Sequence, residues 1–307
     1  GAGQRDARHD RRRKRACAVT IFELLTSPIE YQFMQRAIIV TVLAAVVCGL
    51  LSCWLILVGW ALIGDAISHA VLPGVVIAYA LGIPFGIGAF AFALVAVLLI
   101  FMIKRTTPLK QDASIGIVFT TLFALGIVLI SLWPSQVDLM HILFGNLLGV
   151  SISDAWQIAV PALIVMGALI YFRRDITLFA FDPTHAKVIG LRPDAVGAGV
   201  LVAVAATAVV SLKTVGVVLV VSLLITPGAT ALLLTRNVWK MLWVAPTIAG
   251  LCALVGCYVS FHLDTPPGGT IVLIQGIVYA VVWLVSLRRG RVGPPQPKQL
   301  SVATVAR

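Results

Sequence analysis

Between Arg36 and Asp65 the chain runs for 28 residues without a charged side chain. Residues 66–103 repeat the pattern, with His69 the one group that titrates near neutral pH. A helix needs roughly 20 apolar residues to cross the hydrocarbon core of a bilayer. The second run is too long for one crossing, and it breaks naturally at the turn-forming stretch Leu81-Gly82-Ile83-Pro84-Phe85-Gly86. Further apolar runs follow to residue 287. They predict nine helices, at about 37–58, 65–82, 85–103, 115–132, 156–172, 196–212, 215–235, 242–262 and 269–287. The very tight link between the sixth and seventh leaves open a hairpin that does not fully cross. Residues 139–150 are apolar but short, and read as a re-entrant or interfacial helix.

Composition agrees. Hydrophobic residues make up 60% of the 307 and charged residues 11%, against roughly 25% charge in a soluble globular domain. A soluble enzyme, a nucleic-acid module and a disordered chain are all excluded. The fold class is an all-α, polytopic membrane protein with 8–9 spans, since lipid leaves helices as the way to satisfy the backbone of such runs.

The net charge of +11 is organised by loop. Residues 1–16 hold seven basic side chains against two acidic ones. The segments 104–112, 173–195, 236–241 and the tail from 288 hold 14 more, while the alternate loops hold Lys213. Excess Lys and Arg marks the cytoplasmic side and contact with anionic membrane lipid. No basic stripe with interleaved aromatics is present, so nucleic acid is not a partner. An odd number of spans places the N-terminus outside, against the basic tail, so either one helix is miscounted or the tail is atypical. The expected organisation is a disordered basic tail at 1–20, a permease domain at 21–290 and a cytoplasmic tail at 291–307. Of Cys17, Cys48, Cys53, Cys252 and Cys257, four sit in apolar runs, and none has metal-finger spacing; they read as small buried hydrophobes. No cleavable signal peptide is recognisable.

An ionisable group inside a span is costly and is a functional candidate by default. Gly64-Asp65-Ala66-Ile67-Ser68-His69-Ala70-Val71-Leu72-Pro73-Gly74 holds two. Asp65 and His69 stand at i and i+4, on one face of a helix. A carboxylate beside an imidazole suits Mn²⁺, Fe²⁺ or Zn²⁺. Taken alone, the spacing fits a capping aspartate and a carbonyl-bonded histidine better. Pro73-Gly74 just beyond weakens the helix, and Pro227-Gly228 interrupts a later span; both are candidate hinges. Asp138 with His141, and His262 with Asp264, read first as solvated helix ends on the outer side.

The stretch from Gly64 to Gly74 resembles the signature of the membrane subunit of ABC importers for manganese, zinc and iron. Leu143 to Gly149, Phe181-Asp182-Pro183 to Gly190, Leu212 to Gly216 running on to Thr226–Ala231, and Thr265 to Gly269 fit the same family in the same order. The resemblance spans about residues 20–290. It implies a type II importer-like permease in the bacterial inner membrane, working as a homodimer. The implied partners are a cytoplasmic ATP-binding subunit and an extracytoplasmic metal-binding protein. It also implies that Asp65 and His69 line the metal path near the dimer axis, which reverses the preference given to the pair alone. The wording Ser68 to Gly74 is closer to the manganese and iron branch, so Mn²⁺ comes first, with Zn²⁺ or Fe²⁺ as alternatives. The metal is cargo, and no permanent cofactor is expected. One departure is the uncharged Leu57–Leu62 stretch, where the family carries basic residues.

No glycine is followed by lysine, so the chain has no phosphate loop of the Walker type and is not itself the ATP-hydrolysing enzyme. The coupling element to a partner ATPase is expected within 173–195. Asp182 suits an N-cap, Pro183 the first helical position and Gly190 the stop, around a short helix with Ala186, Val188 and Ile189. The competing reading is a stand-alone secondary transporter or channel for divalent cations. It predicts inverted repeats, and no convincing repeat relates the two halves. An intramembrane enzyme lacks support, for there is no HExxH.

Overall fold

The computed structural model describes residues 31–108, 111–132, 152–235 and 237–288. Every regular element among them is helical: α1 Gln32–Val58, α2 Ile63–Ala70, α3 Leu72–Ala80, α4 Phe85–Thr106, α5 Gln111–Leu132, α6 Ile152–Tyr171, α7 Arg173–Phe181, α8 Pro183–Val188, α9 Pro193–Val215, α10 Val217–Leu234, α11 Val238–Leu263 and α12 Pro267–Arg288. Eight stretches are long and apolar enough to cross a membrane, with α2 and α3 together making one of them. A ninth arises if α6 and α7, bent by 65° at Phe172, count as one broken span. The tail, the segment 139–150 and the pair Asp138 and His141 lie outside the described residues.

Two expectations change. The expected helix over 65–82 starts at Ile63 and divides at Val71. Pro73 has no N–H to return to the His69 carbonyl, so the α-helical ladder is interrupted one turn beyond the histidine. The suspected short hairpin at 196–235 is two full helices, α9 and α10, each long enough to span. Gly216, at φ 80° and ψ 161°, makes the link between them, a conformation open to glycine. The expected break at 81–86 is found as a turn at Leu81–Pro84 leading into α4.

α1 is the central post. It packs most extensively on α11 and α10, and also touches α6 and α7. Small residues permit the close approach: a Cβ on Gly49 would stand 2.8 Å from Ala249 Cβ. Cys48, Cys53, Cys252 and Cys257 are buried free thiols within this core. The α3–α4 hairpin is tighter still, since a Cβ on Gly74 would lie 2.1 Å from the Gly88 carbonyl oxygen.

One end of the bundle collects the charges. Trp60, in the turn closed by Gly59 at φ 82°, meets Phe179 edge-on at 5.9 Å. Lys104 Nζ sits 5.4 Å from the Trp60 ring, Arg105 pairs with Asp194, and Arg173 lies over Trp239 at 5.5 Å. Apart from the Gly59–Trp60 turn, these residues come from segments assigned to the cytoplasm by loop charge, so the alternation of the spans is consistent with that rule. The uncharged turn before Asp65 lies at the same end, and Lys104 brings a cation to it through Trp60.

Gly74→Ala should lower thermal stability by about 1–3 kcal/mol, because its new Cβ meets backbone. Gly167→Ala, whose Cβ meets nothing within 4 Å, should leave the melting temperature unchanged or raised. Thermal unfolding followed by size-exclusion of the detergent-solubilised protein measures both.

Candidate functional site

α2 is eight residues long, and six of them are buried: Ile63, Gly64, Ala66, Ile67, Ser68 and Ala70. The two half-exposed residues are Asp65 and His69. The helix therefore presents its apolar and small side chains to the bundle and the two ionisable ones outward on one flank. His69 Nε2 stands 3.4 Å from Asp65 Oδ1, with 26% and 40% of the respective side chains exposed. Ser68 turns inward and donates to the Gly64 carbonyl at 2.8 Å, so its hydroxyl serves its own helix.

Aromatic walls orient the imidazole. Its centroid is 5.4 Å from both Phe119 and Phe123, and the ring meets Phe123 edge-on. The two phenylalanines stack with each other at 6.0 Å. They also set the depth of the site. Phe119 and Phe123 fall about 12 and 18 Å along a helix of about 33 Å, at 1.5 Å rise per residue, in the 22-residue α5. His69 is thus held near mid-depth, with Asp65 one turn closer to the charged end. On its other side α2 is pressed against α10, where a Cβ on Gly64 would come within 2.6 Å of Leu224 Cδ1.

Among the described residues no three or more His, Cys, Asp or Glu side chains gather as a metal site. One chain contributes a carboxylate oxygen and an imidazole nitrogen, two mixed O/N donors of a kind that suits Mn²⁺, Fe²⁺ or Zn²⁺. Such a pair can bind a dehydrated cation only weakly unless further donors come from outside the chain.

The other sequence-derived residues are distributed as follows. Pro73 opens α3 and Gly74 sits in the contact with Gly88. Pro227 is buried inside α10, and a Cβ on Gly228 would be 2.5 Å from the Ser52 carbonyl oxygen of α1. In the cytoplasmic segment Asp182 Oδ1 accepts from His185 N–H at 2.9 Å, capping α8, which starts at Pro183. Gly190 at φ 91° ends the turn. Ala186 is fully buried and faces inward, whereas Val188 and Ile189 are 79% and 55% exposed. His262 stacks edge-on against Tyr258 at 4.6 Å, far from the pair, and Asp264 caps α11 in the left-handed region.

Sequence reasoning passed over Phe119 and Phe123, although their i, i+4 spacing on an apolar helix was visible. It also missed Gln275, buried at mid-span of α12, whose Oε1 accepts from Ser222 at 2.9 Å. Its amide in an otherwise apolar run was the available signal.

A bundle of apolar spans with a carboxylate–imidazole pair within one span and an exposed capped helix at the charged end defines a membrane permease. Residues 30–286 match the model of the ABC 3 transport family, and the chain belongs to that family. It is 46% identical over 267 residues to the manganese transport system membrane protein MntB of Synechocystis, covering 87% of each chain. It is 43% identical over 261 residues to the chelated iron transport system membrane protein YfeD of Yersinia pestis, covering 85% of this chain and 88% of that one. The solved structure of PsaBC from Streptococcus pneumoniae in complex with Fab superposes with a TM-score of 0.77 at 33% identity, over 86% of this chain and 95% of that chain. The protein is therefore a multi-span permease of the bacterial inner membrane.

Gly64→Ala should displace α2 from α10 and cut transport of the substrate metal severalfold, with Leu224→Ala in the same chain restoring part of it. Metal uptake by cells carrying the single and double variants reads the coupling.

Proposed function

We propose that this chain is the permease subunit of an ATP-driven importer of a divalent metal, with Mn²⁺ as the favoured cargo and Fe²⁺ or Zn²⁺ next. The observation that carries the reading is the Asp65–His69 pair, half-exposed on one flank of α2 within a membrane span. Two copies of the chain, related by a two-fold axis beside α2, bring two carboxylates and two imidazoles together. Four donors of that kind replace the hydration shell of the ion, which a single chain cannot do. Relatives named for manganese and for iron transport support the metal class. Affinity along the Irving–Williams order makes Mn²⁺ the weakest binder of the three, so selectivity rests on site geometry and on the extracytoplasmic protein that delivers the ion.

Energy comes from a separate cytoplasmic ATP-binding subunit. Its dock is α8 with its flanking turn. Asp182, Pro183 and Gly190 fix the shape of that element, Ala186 anchors it to the bundle, and Val188 and Ile189 present apolar surface to a groove. Movement of α8 passes through α7 into α9 and α1, with which α7 packs. Pro73-Gly74 and Pro227-Gly228 are the points at which the spans yield, because each proline removes one backbone bond.

Asp65→Asn and His69→Ala should each reduce uptake of radiolabelled Mn²⁺ by about tenfold or more, with the permease still present in the membrane. Wild-type uptake in both variants refutes the site. Val188→Asp with Ile189→Asp should abolish stimulation of the partner ATPase while leaving metal binding by the permease intact. Unchanged ATPase coupling refutes the dock.

A further inference from the structure

We propose that the cytoplasmic end of the cleft between α1, α6 and α11 is a binding site for an anionic phospholipid of the inner leaflet. The cleft has a volume of about 350 Å³, and its walls include Leu50, Met166, Ile170 and Leu242. Arg173, Trp239 and Trp243 stand at its mouth. The walls belong to membrane spans, so its filling is hydrocarbon, for which an acyl chain is the available source.

The mouth selects the headgroup. Arg173 opens α7 just past the bend at Phe172 and is exposed, with its guanidinium 5.5 Å from the Trp239 ring. Among the described residues no carboxylate pairs with it. Arg174, next to it in sequence, and Lys240, next to Trp239, are exposed, while Asp175 faces a different cavity, shared with Ala195 and Gly199. The local charge is therefore positive and open to a phosphate. Trp243 is 78% exposed, and with Trp239 it forms the amphipathic aromatic pair that sits at headgroup level. Arginine with stacked aromatics at the cytoplasmic surface, above an apolar slot between spans, is the chemistry of headgroup recognition.

The cleft does not compete with the metal path. Asp65 and His69 lie on α2, which packs against α5, α9 and α10, whereas the cleft is lined by α1, α6 and α11. A second copy meeting this one beside α2 leaves the cleft facing lipid; that placement rests on the proposed dimer, and the mass of the complex checks it separately.

The test is native mass spectrometry of the detergent-solubilised permease–ATPase complex, titrated with phosphatidylglycerol or with phosphatidylcholine of the same chains. Wild type should retain phosphatidylglycerol about fivefold more tightly than phosphatidylcholine, the factor expected from one arginine at the surface. Arg173→Gln should remove that preference. Thr247→Trp, which fills the cleft from an exposed position, should reduce retention of both lipids while the mass of the protein complex stays the same. Equal retention of the two lipids by wild type, unchanged phosphatidylglycerol binding in Thr247→Trp, or loss of the protein dimer in that variant overturns the proposal.

Discussion

Holding a carboxyl group and an imidazole within a membrane span is costly, and the arrangement around α2 answers that cost. The short helix buries every residue except these two, and it does so because Gly64 lets it lie directly on Leu224 of α10. The phenylalanine pair on α5 then closes around the imidazole. The polar edge is left half-exposed, and in the proposed homodimer a second copy supplies the remaining donors. Two donors in one chain are the reason the proposed function calls for two copies.

The rest of the bundle combines close packing with local weakness. Glycine contacts such as Gly74 on Gly88 and Gly228 on Ser52 bring helices to backbone distance, which gives dispersion without bulky interdigitation. Pro73 and Pro227 sit immediately beside two of those contacts. A helix pinned by a glycine and missing a backbone bond at the adjacent position can bend there without losing its neighbour. At the charged end, Trp60, Lys104, Phe179 and the Arg105–Asp194 pair tie four segments together: the α1–α2 turn, α4, α7 and α9.

Much of this was legible from residues alone. Runs such as 37–64 dictated spans, and Leu81–Gly86 dictated a turn, because charge and turn chemistry are local. Asp65 and His69 stood out as candidates because an ionisable residue in a span is conspicuous, and the family resemblance gave them the metal reading. The division at Val71 was less plain, although Pro73 contained the reason. Burial of Ala186 beneath Val188 and Ile189 follows from the rotation of a six-residue helix against α9, which no periodicity resolves over so short a stretch. The aromatic walls of His69 depend on the pairing of α2 with α5, and the cleft at Arg173 on three helices meeting; neither is encoded within one segment.

The most direct test of the central claim is the stoichiometry and ligation of Mn²⁺ in the purified permease–ATPase complex, by metal analysis together with electron paramagnetic resonance of protein labelled with ¹⁵N-histidine. One ion should bind per two permease chains, coupled to two histidine nitrogens, with both signals lost in His69→Ala. One ion bound per chain, or an ion whose signal survives that substitution, contradicts it.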